Sequence, residues 1–380
     1  MRNFLYEPTV NHTSVKDQGQ VGFCWSYAVS GHIEGNHLRR TGNTVDLSEE
    51  WTGFWAIYDQ VIKNAPEYFR NEKRKVDKSK KGFKKLGNKI STKTKNLVNL
   101  GKIHFFFSVS EGAPDMMQGV ELVKKYGVVP ESVFSYKIVG DEAQKGVESR
   151  VMSFVHDELR DPDLNPKFRL KNADGTLSDQ PEPIAILERL AQVYVNEKDG
   201  PAAGKASQAD KILNAHRNGF IFEGVHVTPI ELVARMNFDV DNYHQTKVNQ
   251  ANFDQTIQRI EQALAAGEQV PIGILLMTGY AEAIKGSGIL TPESCGLRTP
   301  CGIAGGHAIL VVGKTTDPQT GQTNGLIIKN SWGAVGLNQS GSKTGATGYQ
   351  VLTLDYLREN YGPHAGERAA EWMMVVPKSI

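Results

Sequence analysis

Apolar positions in the first third of the chain fall at helical spacing. After Trp25, the residues Tyr27, Ala28, Ile33 and Leu38 recur at roughly helical intervals and Gly42-Asn43 supplies a stop, which predicts a helix to about Arg40. A second helical stretch runs from Leu47 to Asn64, capped by Ser48, with Trp51, Phe54, Trp55 and Tyr58 on one face. Asp115 to Tyr126 reads as a third helix, stopped by Gly127, and Val147–Leu159 and Pro183–Val195 as two amphipathic segments. Ile103 to Val109 reads as a buried strand or pocket wall.

From Gly219 the pattern turns β-rich, interrupted by a helix over Phe253–Ala266. Strands are predicted at Val270–Met277, Ala308–Gly313, Leu326–Lys329, Tyr349–Thr353 and Glu371–Val376, with a Gly- and Ser-rich loop over 334–348. A helix-dominated half followed by a strand-dominated half predicts a two-lobed α+β fold with a cleft between the lobes. The helical lobe spans about 15–136, and the sheet lobe about 219–380 together with the N-terminal lead-in. Both are read as one domain over 1–380, with insertions at 63–102 and 137–220.

Composition narrows the function classes. With 380 residues, 39% hydrophobic and 22% charged, the chain is in the range of globular proteins, and a net charge of +1 makes the whole molecule no polyanion binder. No apolar run approaches the roughly 18–20 residues of a membrane span. Residues 63–102 carry fourteen Lys or Arg against Glu67, Glu72 and Asp77. They lack aromatics at base-stacking intervals, so the reading is a solvated surface insertion rather than a nucleic-acid site. The ten histidines show no metal-ligand spacing, and no phosphate- or dinucleotide-binding glycine pattern follows a strand. Neither a cofactor nor a metal is expected.

The chemistry sits at the two ends. Cys24 falls where a turn-rich segment gives way to a helix, so its thiol lies at a helix N-terminus, which favours the reactive thiolate. Gln18, six residues upstream, can swing an amide N–H toward the atom that the thiolate attacks. Far downstream, Gly305-Gly306-His307-Ala308 leads an apolar strand, and a second strand ends in Asn330-Ser331-Trp332-Gly333. A Cys–His pair needs a third polar group to fix the imidazole, and the Asn330 amide oxygen supplies one, with Trp332 as a shield.

These segments together resemble the papain-like cysteine peptidases. The Gln-Gly-x-x-Gly-x-Cys-Trp segment assigns Gln18 to the oxyanion hole and Cys24 to attack, Gly-His-Ala assigns His307 to proton transfer, and Asn-Ser-Trp-Gly assigns Asn330 to orientation. Leu47-Ser48-Glu49-Glu50 and Pro271-Ile272-Gly273-Ile274 are similar to further family segments. Trp51–Tyr58 and Gly112–Pro130 resemble the bleomycin-hydrolase branch. The resemblance implies a two-lobed papain-like fold with a β-barrel-like sheet lobe, and substrate contacts at Gly112, Ala113, Ile272, Gly306 and Trp332. Near Gly306 it implies a pocket for bulky apolar residues.

Two departures stand out. Val21 replaces the cysteine of the family's disulfide beside the site, and Phe23 replaces a residue that is small in most relatives, which narrows the site. Cys295 and Cys301 remain, either as a short-loop disulfide or as two free thiols; the disulfide points to secretion or another oxidising compartment, the thiols to the cytoplasm. The chain begins about two dozen residues before Cys24, where mature relatives begin, which leaves a removed propeptide or signal open.

The expected activity is hydrolysis of peptides or proteins through a Cys24 thioester, with a propeptide or protein inhibitor as further partner. Only Pro377–Ile380 follows the last strand, which favours endopeptidase action over a bleomycin-hydrolase-like aminopeptidase. A competing class is a binding protein that uses the basic insertion.

Overall fold

The computed structural model describes residues 4–7, 9–19, 22–70, 116–136, 144–197, 206–277, 279–295, 303–361 and 372–380. The expected strand at 103–109 and the basic run beyond Arg70 lie outside these residues.

The chain opens with a short strand β1 (Leu5–Tyr6) and then the helices α1 (Cys24–Thr41) and α2 (Glu49–Arg70). Helix α1 starts at the cysteine itself, behind Phe23, whose side chain makes no capping bond. It stops at Gly42, where a left-handed residue donates its N–H to Leu38 O at 2.8 Å. Ser48 caps α2 as expected, accepting from Trp51 N at 3.3 Å. Helix α2 outruns its predicted end and continues past Pro66 to Arg70, because Ala65 and Phe69 are buried and keep its apolar face in the core. Helix α3 (Met116–Tyr126) ends at Gly127.

The segment read as the second insertion is ordered in its described parts. Helix α4 (Gln144–Phe154) runs into a π-helical turn, Val155–Leu159. A hairpin of β2 (Arg169–Lys171) and β3 (Leu177–Pro181) leads to α5 (Pro183–Tyr194) and α6 (Gln208–Asn218). A second hairpin, β4 (Phe220–Phe222) with β5 (Val225–Val227), precedes α7 (Pro229–Arg235). Neither hairpin nor α6 and α7 stands out in the hydrophobic pattern. Their capping residues are legible, though: Ser207 accepts from Asp210 N, and Thr228 and Glu231 form a reciprocal capping box.

The remainder builds one mixed sheet. After β6 (Tyr243–Val248) and α8 (Phe253–Ala265) come β7 (Val270–Met277), α9 (Tyr280–Gly286), β8 (Ile289–Leu290), β9 (Ile303–Thr316), β10 (Thr323–Lys329), β11 (Tyr349–Thr353), α10 (Leu354–Asn360) and β12 (Trp372–Pro377). Hydrogen bonding runs in the order β6-β12-β7-β9-β10-β11-β8, with β1 paired to β9. The two ends of this path do not pair among the described residues. The barrel-like closure expected of this lobe is thus not confirmed by the described pairing.

Two large apolar clusters divide the molecule. One joins α1 to α7 and reaches the sheet through Ala308 and Val375. The other lies around the opposite sheet face, with Ile272, Ile274, Ile309, Val311 and Ile328 packed against Phe253, Ile257 and Tyr356. Alternation along the strands puts successive residues into different clusters, as a sheet covered on both sides requires. The lead-in crosses from one half to the other: Tyr6, Val10 and Val15 pack on Leu310, Val312, Ile327 and Tyr349. Among the described residues no helix is long and apolar enough to cross a membrane.

Candidate active site

Helix α1 and strand β9 bring Cys24 beside His307. Ala308 N–H donates to Cys24 Sγ at 3.3 Å, so the thiol lies one residue along the strand from the histidine. The local sequence explains how the thiol is held. Gly53 of α2 leaves room for the Phe23 ring, since a Cβ there would lie 2.7 Å from it. Gly119 of α3 does the same for Trp25, at 2.9 Å. Phe23 is thus 1% exposed and turned into the helical core. The expectation that it narrows the site is corrected: its ring is accommodated by a glycine in the facing helix.

His307 is fixed from the other side. Its Nε2–H donates to Asn330 Oδ1 at 2.7 Å, and the Ser331 backbone N–H donates to the same oxygen at 2.8 Å. Two donors on one atom settle which end of the amide faces the ring. When neutral, the imidazole therefore carries its proton on Nε2 and leaves Nδ1 as the basic nitrogen. Trp332 lies 5.0 Å from the His307 ring, centroid to centroid, and 5.4 Å from that of Tyr280, edge to face. Asn330 Nδ2 in turn donates to Gln350 Oε1 at 3.2 Å.

Gln18 arrives on the lead-in. Its backbone N–H donates to Ser331 O at 2.8 Å, and its side-chain Oε1 accepts from the Ser331 hydroxyl. The amide NH₂ is the end turned away from Ser331. Two residues earlier, Lys16 Nζ is held by Glu34 at 2.8 Å, Glu49 at 2.7 Å and Asp46 at 2.7 Å, an ion cluster that anchors the lead-in to α1 and α2. Gly333 N–H donates to Lys16 O at 3.1 Å, and Gly333 adopts φ +66°, which only glycine takes without strain.

Burial sets the ionisation. Cys24 and His307 are each 2% exposed. Desolvation pushes the Cys24 thiol up to about 11, against the pull of the Ala308, Trp25 and Cys24 N–H groups. It brings His307 down to about 4, partly offset by the bond to Asn330. The sequence reading expected a thiol made acidic by the helix end. In the closed site the loss of water works against that partial charge, raising the thiol and lowering the imidazole.

The substrate-contact residues divide. Gly306, half-buried, and Trp332 adjoin His307. Ile272 does not: it pairs with Ile309 and Met374 inside the second apolar cluster, one pleat repeat beyond the Ile274–His307 pair, and offers no surface to a ligand. Gly112, Ala113 and Cys301 lie outside the described residues, as does any Cys295–Cys301 pairing. Ser331, Tyr280 and Gln350 were missed. Ser331 is contained in the Asn-Ser-Trp-Gly segment, whereas no local pattern marks the other two.

Comparison with known proteins bears on the fold and on the segment around Cys24. The sequence model described as "Papain family cysteine protease" matches residues 5–52. Over 38 residues the chain is 55% identical to a cathepsin L-like peptidase of Aedes aegypti and 55% identical to digestive cysteine proteinase 1 of Homarus americanus. Each stretch covers 10% of this chain, which spans 11% and 12% of the length of these relatives. The crystal structure of PepW from Lactobacillus rhamnosis superposes with a TM-score of 0.53 at 15% identity, covering 99% of this chain and 82% of that one. The segment around Cys24 is similar to papain-family cysteine proteases, and the fold is similar to that of PepW. In this papain-type frame the matched segment holds Gln18 and Cys24, while His307 and Asn330 come together through the sheet.

Proposed function

We propose that the chain is a cysteine peptidase that hydrolyses peptide bonds through a Cys24 thioester. The observation that carries this reading is the 2.7 Å bond from His307 Nε2–H to Asn330, on a ring lying one residue from the strand N–H that meets the Cys24 thiol. His307 Nδ1 takes the thiol proton as Sγ attacks the scissile carbonyl carbon. The developing oxyanion accepts from the Cys24 backbone N–H and the Gln18 amide. Collapse breaks the C–N bond, and Nδ1–H protonates the departing amine. Water then attacks the thioester with His307 as base, releasing the carboxylate and restoring the thiol.

Endopeptidase action is the favoured form. Cleavage of a peptide library tests both levels at once. Internal cuts that vanish in Cys24→Ala are the expected result. Trimming from the amino terminus alone would replace the endopeptidase reading with an aminopeptidase. Equal cleavage by Cys24→Ala would overturn the peptidase reading.

A further inference from the structure

The end of Asn330 that faces away from His307 terminates in two residues that no motif marks. Asn330 Nδ2 donates to Gln350 Oε1 at 3.2 Å and approaches the Tyr280 hydroxyl at 3.5 Å. The Tyr280 hydroxyl donates to the same Gln350 oxygen at 2.9 Å. Gln350 comes from β11, opposite Ile328 of β10, and Tyr280 from the first turn of α9. Both are buried, Gln350 fully so, and Gln350 Nε2 has no partner among the described residues. A buried unpaired donor is destabilising, a cost that an apolar side chain at this position would avoid. What the glutamine supplies in return is an acceptor oxygen aimed at Asn330.

We propose that Gln350 is a positioning residue for the reaction: by accepting from Asn330 Nδ2 it keeps Asn330 Oδ1 on His307 Nε2–H, and so keeps His307 Nδ1 available to Cys24. The function assigned to Cys24 and His307 above is the ground for this role. An amide turned by 180° would present Nδ2 to His307 Nε2. That nitrogen would then have to accept, and the ring proton would move to Nδ1, the wrong place for a base facing a thiol. Two groups oppose the turn, one at each end of the amide. The Ser331 backbone N–H holds the oxygen, and the Gln350 oxygen holds the nitrogen. Tyr280 fixes the Gln350 oxygen in turn and carries Trp332 on its ring.

The experiment pairs nitrogen-15 NMR of the His307 imidazole in the full chain with kcat and KM on a cleaved peptide. Gln350→Leu, Gln350→Glu and Tyr280→Phe are compared with the wild type, with thermal unfolding as a check on folding. The wild type is expected as the Nε2–H tautomer. Gln350→Leu is expected to populate Nδ1–H and to lose about tenfold in kcat with KM nearly constant, the scale of one lost hydrogen bond. Gln350→Glu keeps an acceptor oxygen in the same shape and should retain the wild-type tautomer; Tyr280→Phe should fall between. A folded Gln350→Leu with unchanged tautomer and kcat overturns the proposal, as does Gln350→Glu behaving like Gln350→Leu. If Gln350→Leu does not fold, an unchanged tautomer in Tyr280→Phe overturns it. The NMR readout needs no turnover. A wild type that cleaves no peptide, yet changes tautomer in Gln350→Leu, supports the positioning role and overturns the peptidase reading instead.

Discussion

The two sides of the site are held by different physics. On the nucleophile side, Phe23 and Trp25 lock the start of α1 by fitting against Gly53 and Gly119, and the thiol accepts from backbone N–H groups. On the base side, a directional chain runs from His307 through Asn330 to Gln350 and Tyr280, with Ser331 donating to Asn330 Oδ1. Packing tolerates little change in volume but carries no polarity. Hydrogen bonds carry polarity, and so decide where a proton rests. Substitutions on the first side should therefore register mainly in stability, and those on the second mainly in kcat and its pH dependence.

The largest expected effect removes the chemistry itself. Cys24→Ala and His307→Ala should each lower kcat by on the order of 10⁴-fold or more while the protein still unfolds cooperatively, Cys24→Ala with little loss of stability because it opens little core volume. Unfolded variants would mean that the pair is structural. Next comes Gln18→Ala, expected to cost about 10²–10³ in kcat with a small change in KM, because an oxyanion donor acts in the transition state. A loss confined to KM would remove Gln18 from that role. Smaller again is Gly53→Ala, whose added methyl meets the Phe23 ring. Overpacking of this kind costs about 1–3 kcal/mol, read as a lower Tm with kcat nearly intact in the folded protein. An unchanged Tm would mean that the nucleophile side is not held by fit.

What the sequence makes legible follows the same division. Helix ends marked by Gly42 and Gly127, strands Val270–Met277 and Tyr349–Thr353, and the residues Cys24, His307 and Asn330 all carry local patterns that survive into the structure. The parallel pairing of β11 with β8 joins residues about sixty apart, and no turn between them announces it. The Phe23 ring goes where it does because of Gly53 in another helix. Gln350 acts on Asn330 from a neighbouring strand and looks, in isolation, like an ordinary polar strand residue. The direction of the thiol's shift depends on burial assembled from distant elements, so a helix-end argument alone points the other way.

The central claim is that a neutral, Nε2-protonated His307, oriented by Asn330, is the base. The pH dependence of kcat/KM in the wild type, Asn330→Ala and Asn330→Asp tests it most directly. Burial lowers the His307 pKa to about 4, so the unprotonated ring is present above that pH and the acid limb of the wild type should fall near it. A carboxylate at position 330 would stabilise the imidazolium and raise that pKa, so the acid limb of Asn330→Asp should move to higher pH. Asn330→Ala should lose kcat, though less than His307→Ala. An acid limb that stays in place in Asn330→Asp, together with wild-type kcat in Asn330→Ala, would contradict the account.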